Sequence, residues 1–331
     1  MAMASIRRRQ LKEVDNTGFS NNSSQMGNRL VNRDGSANVK KTGLPFFERF
    51  AWYHTMLQIP GWKFLVFTFS AFLFVNLLFA VTYMALGEEH LAGLTNRESR
   101  FWQVYFFSVQ TFTTVGYGHV SPVGTATSAV ASLQAFCGLM SFALATGLLY
   151  GRFSRPRAYL KFSENALIAP YKDFSALMLR LVPFKNNPLT EAEVKLNLMM
   201  KVPQDGQLAS RFYTLNTQID KINSLVLSWT IVHPIDEDSP LYGLSPEQIN
   251  ESKAELIVFV KAFDETFSNT VVARSSYRFD EWVMGARFLP MFRNSSDSSE
   301  TILQLDKLNL YEKVSLTVPV LRTGNADAED S

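Results

Sequence analysis

Residues 64–86 and 120–151 contain no Asp, Glu, Lys or Arg. Each stretch exceeds the roughly 20 residues that a helix needs to cross a bilayer. In lipid the backbone has to satisfy its own hydrogen bonds, so both stretches are read as spanning helices. The rest of the chain is polar enough for water: of 331 residues 47% are hydrophobic and 19% charged, with net charge +2. That division predicts one membrane unit plus one soluble domain. The first apolar stretch begins after a long polar segment, so it is expected to stay as a helix rather than to serve as a cleaved signal. Lys40, Lys41, Arg49 and Lys63 precede it, and Arg152, Arg155, Arg157 and Lys161 follow the second. The loop between the spans carries Arg97 and Arg100 against Glu88, Glu89 and Glu98. The excess of cations outside that loop predicts two cytoplasmic termini. Cys137 is the single cysteine and lies in the second span, which excludes an intrachain disulfide.

The loop between the spans holds a second constraint. Residues 100–111 have a broad apolar surface from Phe101, Trp102, Tyr105, Phe106 and Val109, and are expected to form a helix too short to cross. Its negative C-terminal end favours a cation. Thr113, Thr114, Val115, Gly116, Tyr117 and Gly118 follow. A Thr-Val-Gly-Tyr-Gly loop in four copies replaces the hydration shell of K+ with backbone carbonyls. The carbonyls of Thr114, Val115, Gly116 and Tyr117 and the Thr114 hydroxyl are therefore the expected ion ligands, with Gly118 closing the strand and Val115 and Tyr117 packing outward. Gly116 and Gly118 accept backbone angles that a Cβ disfavours. One strand cannot encircle an ion, so the reading requires a homotetramer.

Residues 1–42 are rich in Asn, Ser and Gly, include Arg7-Arg8-Arg9, and are expected to be disordered. Residues 43–61 carry Phe46, Phe50, Tyr53 and Leu57 at helical spacing and end in Pro60-Gly61, which predicts an amphipathic helix lying at the interface. Residues 62–153 form the expected pore domain. The small residues of the second span permit close helix packing; Gly138 and Gly147 serve either that packing or inner-helix bending. Residues 154–320 alternate short apolar segments with Pro, Gly and Asn turns, which predicts an all-β sandwich. Ser245-Pro246 marks a short helix start, and residues 321–331 a flexible tail.

Other chemistries find little support. Asp236, Glu237 and Asp238 lack the spacing of a calcium loop, and the four histidines form no metal motif. No phosphate loop, dinucleotide fingerprint or nucleophile elbow occurs, so neither an enzyme nor a cofactor is expected, and no nucleic-acid partner is expected. No helix carries the regularly spaced arginines of a voltage sensor.

These parts, in this order, resemble the inward-rectifier potassium channel family, and more closely its bacterial branch. The resemblance is carried by Thr114–Gly118, by residues 151–157 (Gly-Arg-Phe-Ser-Arg-Pro-Arg) with Phe162-Ser163-Glu164-Asn165-Ala166, by residues 230–242, and by Ala273-Arg274-Ser275-Ser276-Tyr277. It implies a tetrameric α-helical pore with two spans and a pore helix per subunit. It also implies an immunoglobulin-like β-sandwich cytoplasmic domain and placement in the bacterial inner membrane. It further implies a constriction at Tyr150, and contacts of Arg152, Arg155, Arg157 and Lys195 with anionic lipids. Phe142 and Leu289 stand where strong rectifiers of the family carry acids, so weak polyamine rectification is expected, although polyamines or divalent ions remain blockers to consider. Gln110 stands where many members have a glutamate, and the basic partner after the filter is missing. Thr113 and Gln110 are then the expected filter supports. Two other readings compete: a two-span potassium channel gated by a small ligand, which would need a nucleotide-binding fingerprint, and a non-conducting membrane-anchored binding protein, which would need no filter.

Overall fold

A computed structural model describes residues 29–40, 42–43, 45, 51–95, 99–204, 207–294 and 300–316. The chain divides into two compact units: residues 42–155, and residues 1–41 with 156–331.

The helical unit begins with α1 (Trp52–Gln58), which stops before Pro60. The part of the expected interfacial helix at 46–50 lies outside the described residues. Proline cannot donate to a continuing helix, so the chain turns there. The first span, α2 (Gly61–Leu86), starts just after it and ends at Gly87, whose φ of 106° disfavours any side chain. A two-residue strand β1 (Leu91–Ala92) follows, then α3 (Arg100–Phe112), β2 (Ser121–Pro122) and the second span α4 (Thr125–Phe153). β1 and β2 pair antiparallel, Leu91 opposite Pro122, so the two ends of the loop between the spans are clipped together. Most large apolar side chains of α2, such as Phe69, Phe74 and Val81, face outward, as a lipid-facing helix requires. Tyr83, Ala80, Leu91, Val104 and Phe107 form the inner cluster.

The second unit is a β-sandwich. One sheet has the order β11 (Asn269–Arg278), β10 (Glu255–Asp264), β6 (Leu189–Gln204), β7 (Gln207–Leu215), with β8 (Lys221–Ser224) also paired to β6. The other runs β12 (Trp282–Met284), β4 (Ala166–Tyr171), β5 (Phe174–Pro183), β3 (Leu160–Phe162), with β9 (Trp229–Ile235) also paired to β5. β12 and β4 are parallel; the other pairs within these sheets are antiparallel. Alternation along β6 turns Val194, Leu196 and Leu198 inward against Leu177, Leu179 and Ile231 of the facing sheet. Two-stranded antiparallel sheets join β13 (Ala286–Phe288) to β16 (Tyr311–Lys313), and β14 (Phe292–Asn294) to β15 (Thr301–Leu303). The helix start at Ser245 is a complete capping box leading into α5 (Pro246–Glu251).

One expectation is corrected. Residues 29–38, placed within the disordered N-terminal segment, form a hairpin on the sandwich, with Val31 bridged to Ala37. Leu30 and Val31 bury themselves against Met199, Phe212 and Ile257. The Glu255 carboxylate, itself 1% exposed, accepts the amides of Leu30 at 2.9 Å and Val31 at 3.3 Å. Arg29 pairs with Glu281 at 2.9 Å. Partners far along the chain order a segment whose own composition carries no apolar period.

Candidate functional site

The Thr113–Gly118 loop, the expected filter, hangs from the C-terminal end of α3. Thr113 caps that helix with its amide bonded to the Val109 carbonyl at 3.0 Å, and its hydroxyl donates to the same oxygen at 2.8 Å. The next amides turn back as well: Thr114 N reaches Thr111 O at 3.1 Å, while Val115 N and Gly116 N reach Gln110 O at 2.9 and 3.3 Å. Both of these last bonds are taken by the backbone carbonyl of Gln110, not by its side chain. Thr114, Gly116 and Gly118 have φ of 59°, 51° and 81°, whereas Thr113 has −83°. Val115 and Tyr117 fall outside the positive-φ set. Left-handed residues at 114, 116 and 118 thus alternate with residues outside that region. Val115 and Tyr117 are 53% and 72% exposed.

Behind α3 lies a polar cluster that the residue-level reading did not single out. Asn76 and Tyr83 of α2, Ser108 of α3 and Gln134 of α4 are all fully buried. Tyr83 donates its hydroxyl to Gln134 Oε1 at 2.7 Å. Gln134 Nε2 donates to Ser108 Oγ at 2.6 Å and to the Ser108 carbonyl at 2.9 Å. Ser108 Oγ lies 2.9 Å from the Asn76 carbonyl, and Asn76 Nδ2 donates to Phe72 O at 2.8 Å. Hydrogen bonds between membrane helices contribute about 0.6 kcal/mol each on average. Leaving such a group unpaired costs about 1–3 kcal/mol, so the cluster specifies one packing more than it adds stability. The available signal was an Asn and a Gln inside two charge-free spans.

Gly138 lies one helical turn beyond Gln134. A Cβ there would fall 1.9 Å from the Phe112 carbonyl oxygen, so α4 approaches α3 more closely than any side chain permits. Gly147 has nothing within 4 Å of its ideal Cβ. Phe142 and Tyr150 are 75% and 74% exposed. They lie eight residues apart on α4, about 12 Å along its axis.

At the end of α4 the Arg152 guanidinium donates to the carbonyls of Met56 at 2.5 Å and Ile59 at 2.7 Å, beside α1. Arg155 is exposed. In the sandwich unit, Arg157 is exposed, and Lys195 is 65% exposed and sits 3.4 Å from Glu193. Arg180, which sequence reading also passed over, is buried: it donates to the Leu289 carbonyl at 2.7 Å and lies 4.5 Å from the centroid of the Phe288 ring. Burial pushes its pKa down to about 10. Asp236 takes the amide of Asp238 at 3.1 Å, an ordinary turn bond.

Residues 160–330 match the family model for the inward rectifier potassium channel C-terminal domain, and residues 63–155 match a general ion channel model. The inward rectifier potassium channel Kirbac3.1 of Paramagnetospirillum magnetotacticum is 34% identical over 83% of this chain and 92% of its own length. The inward rectifier potassium channel irk-1 of Caenorhabditis elegans is 26% identical over 91% of this chain and 59% of its own. The ATP-sensitive inward rectifier potassium channel 12 of Gallus gallus is 27% identical over 80% and 67%.

Proposed function

The chain belongs to the inward rectifier potassium channel family, and we propose that four copies enclose its ion path, with Thr114–Gly118 as the selectivity filter. The protein is a membrane-embedded, potassium-selective inward-rectifier channel and not an enzyme. The observation that carries the filter assignment is the backbone alternation at Thr114, Gly116 and Gly118, anchored on the Gln110 carbonyl. In this reading K+ sheds water onto the carbonyls of Thr114, Val115, Gly116 and Tyr117 and onto the Thr114 hydroxyl. The C-terminal end of α3 adds its partial negative charge.

The reading continues along α4. Tyr150 forms a ring of four that closes the path, and Phe142 lines the cavity without an acid, so internal polyamines block weakly. The open surroundings of Gly147 suit bending, while the packing of Gly138 against Phe112 suits a fixed contact. Anionic headgroups meet Arg155, Arg157 and Lys195, and Arg152 joins them with the N–H donors that its two carbonyl bonds leave over. Both termini face the cytoplasm in the bacterial inner membrane.

Rubidium uptake into potassium-loaded proteoliposomes tests the reading. Uptake should be blocked by barium and should fail when the trapped salt is sodium. Gly116→Ala forces a Cβ into a left-handed conformation, costing about 1–2 kcal/mol per subunit. It should abolish the preference for potassium in tetramers that still assemble. A preference that survives in this variant contradicts the filter assignment.

A further inference from the structure

We propose that Asn76, Ser108, Gln134 and Tyr83 position the filter for selectivity, by locking α3 between the two spans. The inference rests on the filter reading of Thr114–Gly118. Between Arg100 and Arg152 the sequence contains no Asp, Glu, Lys or Arg, so no ion pair drawn from that stretch can brace the loop. At its start α3 is tied to the preceding loop by Arg100 to Glu88 and Gln103 to Thr95, and it is tied to both spans at Ser108. Its hydroxyl meets Asn76 O at 2.9 Å, and Gln134 Nε2 reaches the same hydroxyl and the Ser108 carbonyl. Two residues farther along, the Gln110 carbonyl accepts Val115 N and Gly116 N. Rotation or sliding of α3 at Ser108 is thus carried directly to the filter amides.

The second point of grip lies one turn on. Gln134 and Gly138 share a face of α4, and Ser108 and Phe112 share a face of α3. Gln134 holds Ser108, and Gly138 abuts the Phe112 carbonyl. Contacts on two successive turns define both rotation and register, which one contact would not do. Tyr83 completes the arrangement by holding Gln134 Oε1, so the amide has one orientation. Its ring also packs edge-on against Phe107 at 5.1 Å. Asn76 is oriented in turn by its bond to Phe72 O. These are positioning residues, since none touches the ion.

The test is the sodium-to-potassium permeability ratio of purified tetramers in planar bilayers, from reversal potentials under bi-ionic conditions, for wild type, Gln134→Met, Asn76→Leu, Ser108→Ala and Tyr83→Phe. Gln134→Met and Ser108→Ala should raise the ratio at least fivefold in tetramers that remain assembled. The Gln134→Met, Ser108→Ala double variant should be no worse than the worse single variant, because both cut the same link. Val104→Ala, a packing lesion on the same helix, should lower tetramer yield without moving the ratio. If Gln134→Met does not assemble, Ser108→Ala and Tyr83→Phe decide, since each removes one hydroxyl and little volume. An unchanged ratio in Ser108→Ala, with wild type selective, overturns the inference alone. A wild-type protein without potassium preference overturns the filter reading and this inference with it.

Discussion

Arg152 Nη2 lies 2.7 Å from the carbonyl oxygen of Ile59, and its Nη1 lies 2.5 Å from that of Met56. These carbonyls sit at the end of α1, where a helix leaves acceptors without internal partners. The same guanidinium stacks 4.8 Å from the centroid of the Phe64 ring in the first turn of α2. One planar fork at the end of α4 therefore binds α1 and the start of α2. A lysine has the charge but not the fork.

Arg152→Lys separates the two roles. A residue that acts only as surface charge toward anionic lipid tolerates the exchange. A residue that couples α1 to α4 does not, because an ammonium cannot hold both carbonyls in the same geometry. Single-channel recording in bilayers of fixed anionic-lipid content should show the open probability changed at least threefold, with conductance unaltered. Equal open probabilities would reduce Arg152 to a headgroup charge.

The helical unit was legible in sequence because its causes are local. Charge-free length defines α2 and α4, Pro60 separates α1 from α2, and the Gly spacing of 116 and 118 marks the loop. The sandwich was legible from alternation and turns. Two features were not. The hairpin at 29–38 is ordered by Glu255, Ser276 and Glu281, none of which is near in sequence. The polar contact requires knowing that Asn76, Ser108 and Gln134 meet, although they stand on three different helices.

Phe142→Asp places a carboxylate on the exposed face of α4. If that face lines the cavity, four negative charges will hold internal polyamines. Inward rectification by spermine should strengthen at least tenfold in apparent affinity, read from outward currents in excised patches or bilayers. Unchanged block would remove Phe142 from the cavity wall.

His233 predicts an acid limit for the sandwich. Its Nδ1 lies 2.6 Å from the Asn216 carbonyl and its Nε2 lies 2.8 Å from Ser239 Oγ. The neutral ring satisfies both, donating from Nδ1 and accepting at Nε2. Burial holds its pKa below the usual 6.5, against the smaller opposing effects of the Asn216 carbonyl and Asp236. The unfolded chain therefore binds the proton first as pH falls, and stability declines from about pH 6.5 downward. Above that window the ring is neutral in both states and the contribution is constant. Melting of the detergent-solubilised channel should show Tm dropping between pH 7 and 5. His233→Gln should flatten that drop while lowering Tm at pH 7, and an equal slope in both proteins would assign the acid sensitivity to other groups.

Glu255→Gln tests the N-terminal hairpin. Both carboxylate oxygens point at backbone amides: Oε2 takes Leu30 N at 2.9 Å, and Oε1 lies 3.2 and 3.3 Å from Leu30 N and Val31 N. An amide side chain keeps one acceptor and aims an N–H donor at the remaining backbone N–H. Hydrogen bonds to a charged acceptor are worth about 1.5–3 kcal/mol, so most of the local anchoring should go while the sandwich core stays intact. Arg29 and Arg33 are trypsin sites held against Glu281 while the hairpin is docked. When opening is fast relative to cleavage, the cutting rate follows the open population. Cleavage at these arginines in the detergent-solubilised channel should accelerate about tenfold, corresponding to about 1.4 kcal/mol of lost local stability. Cleavage at the wild-type rate would show that the apolar seat of Leu30 and Val31 on Met199, Phe212 and Ile257 holds the hairpin without Glu255.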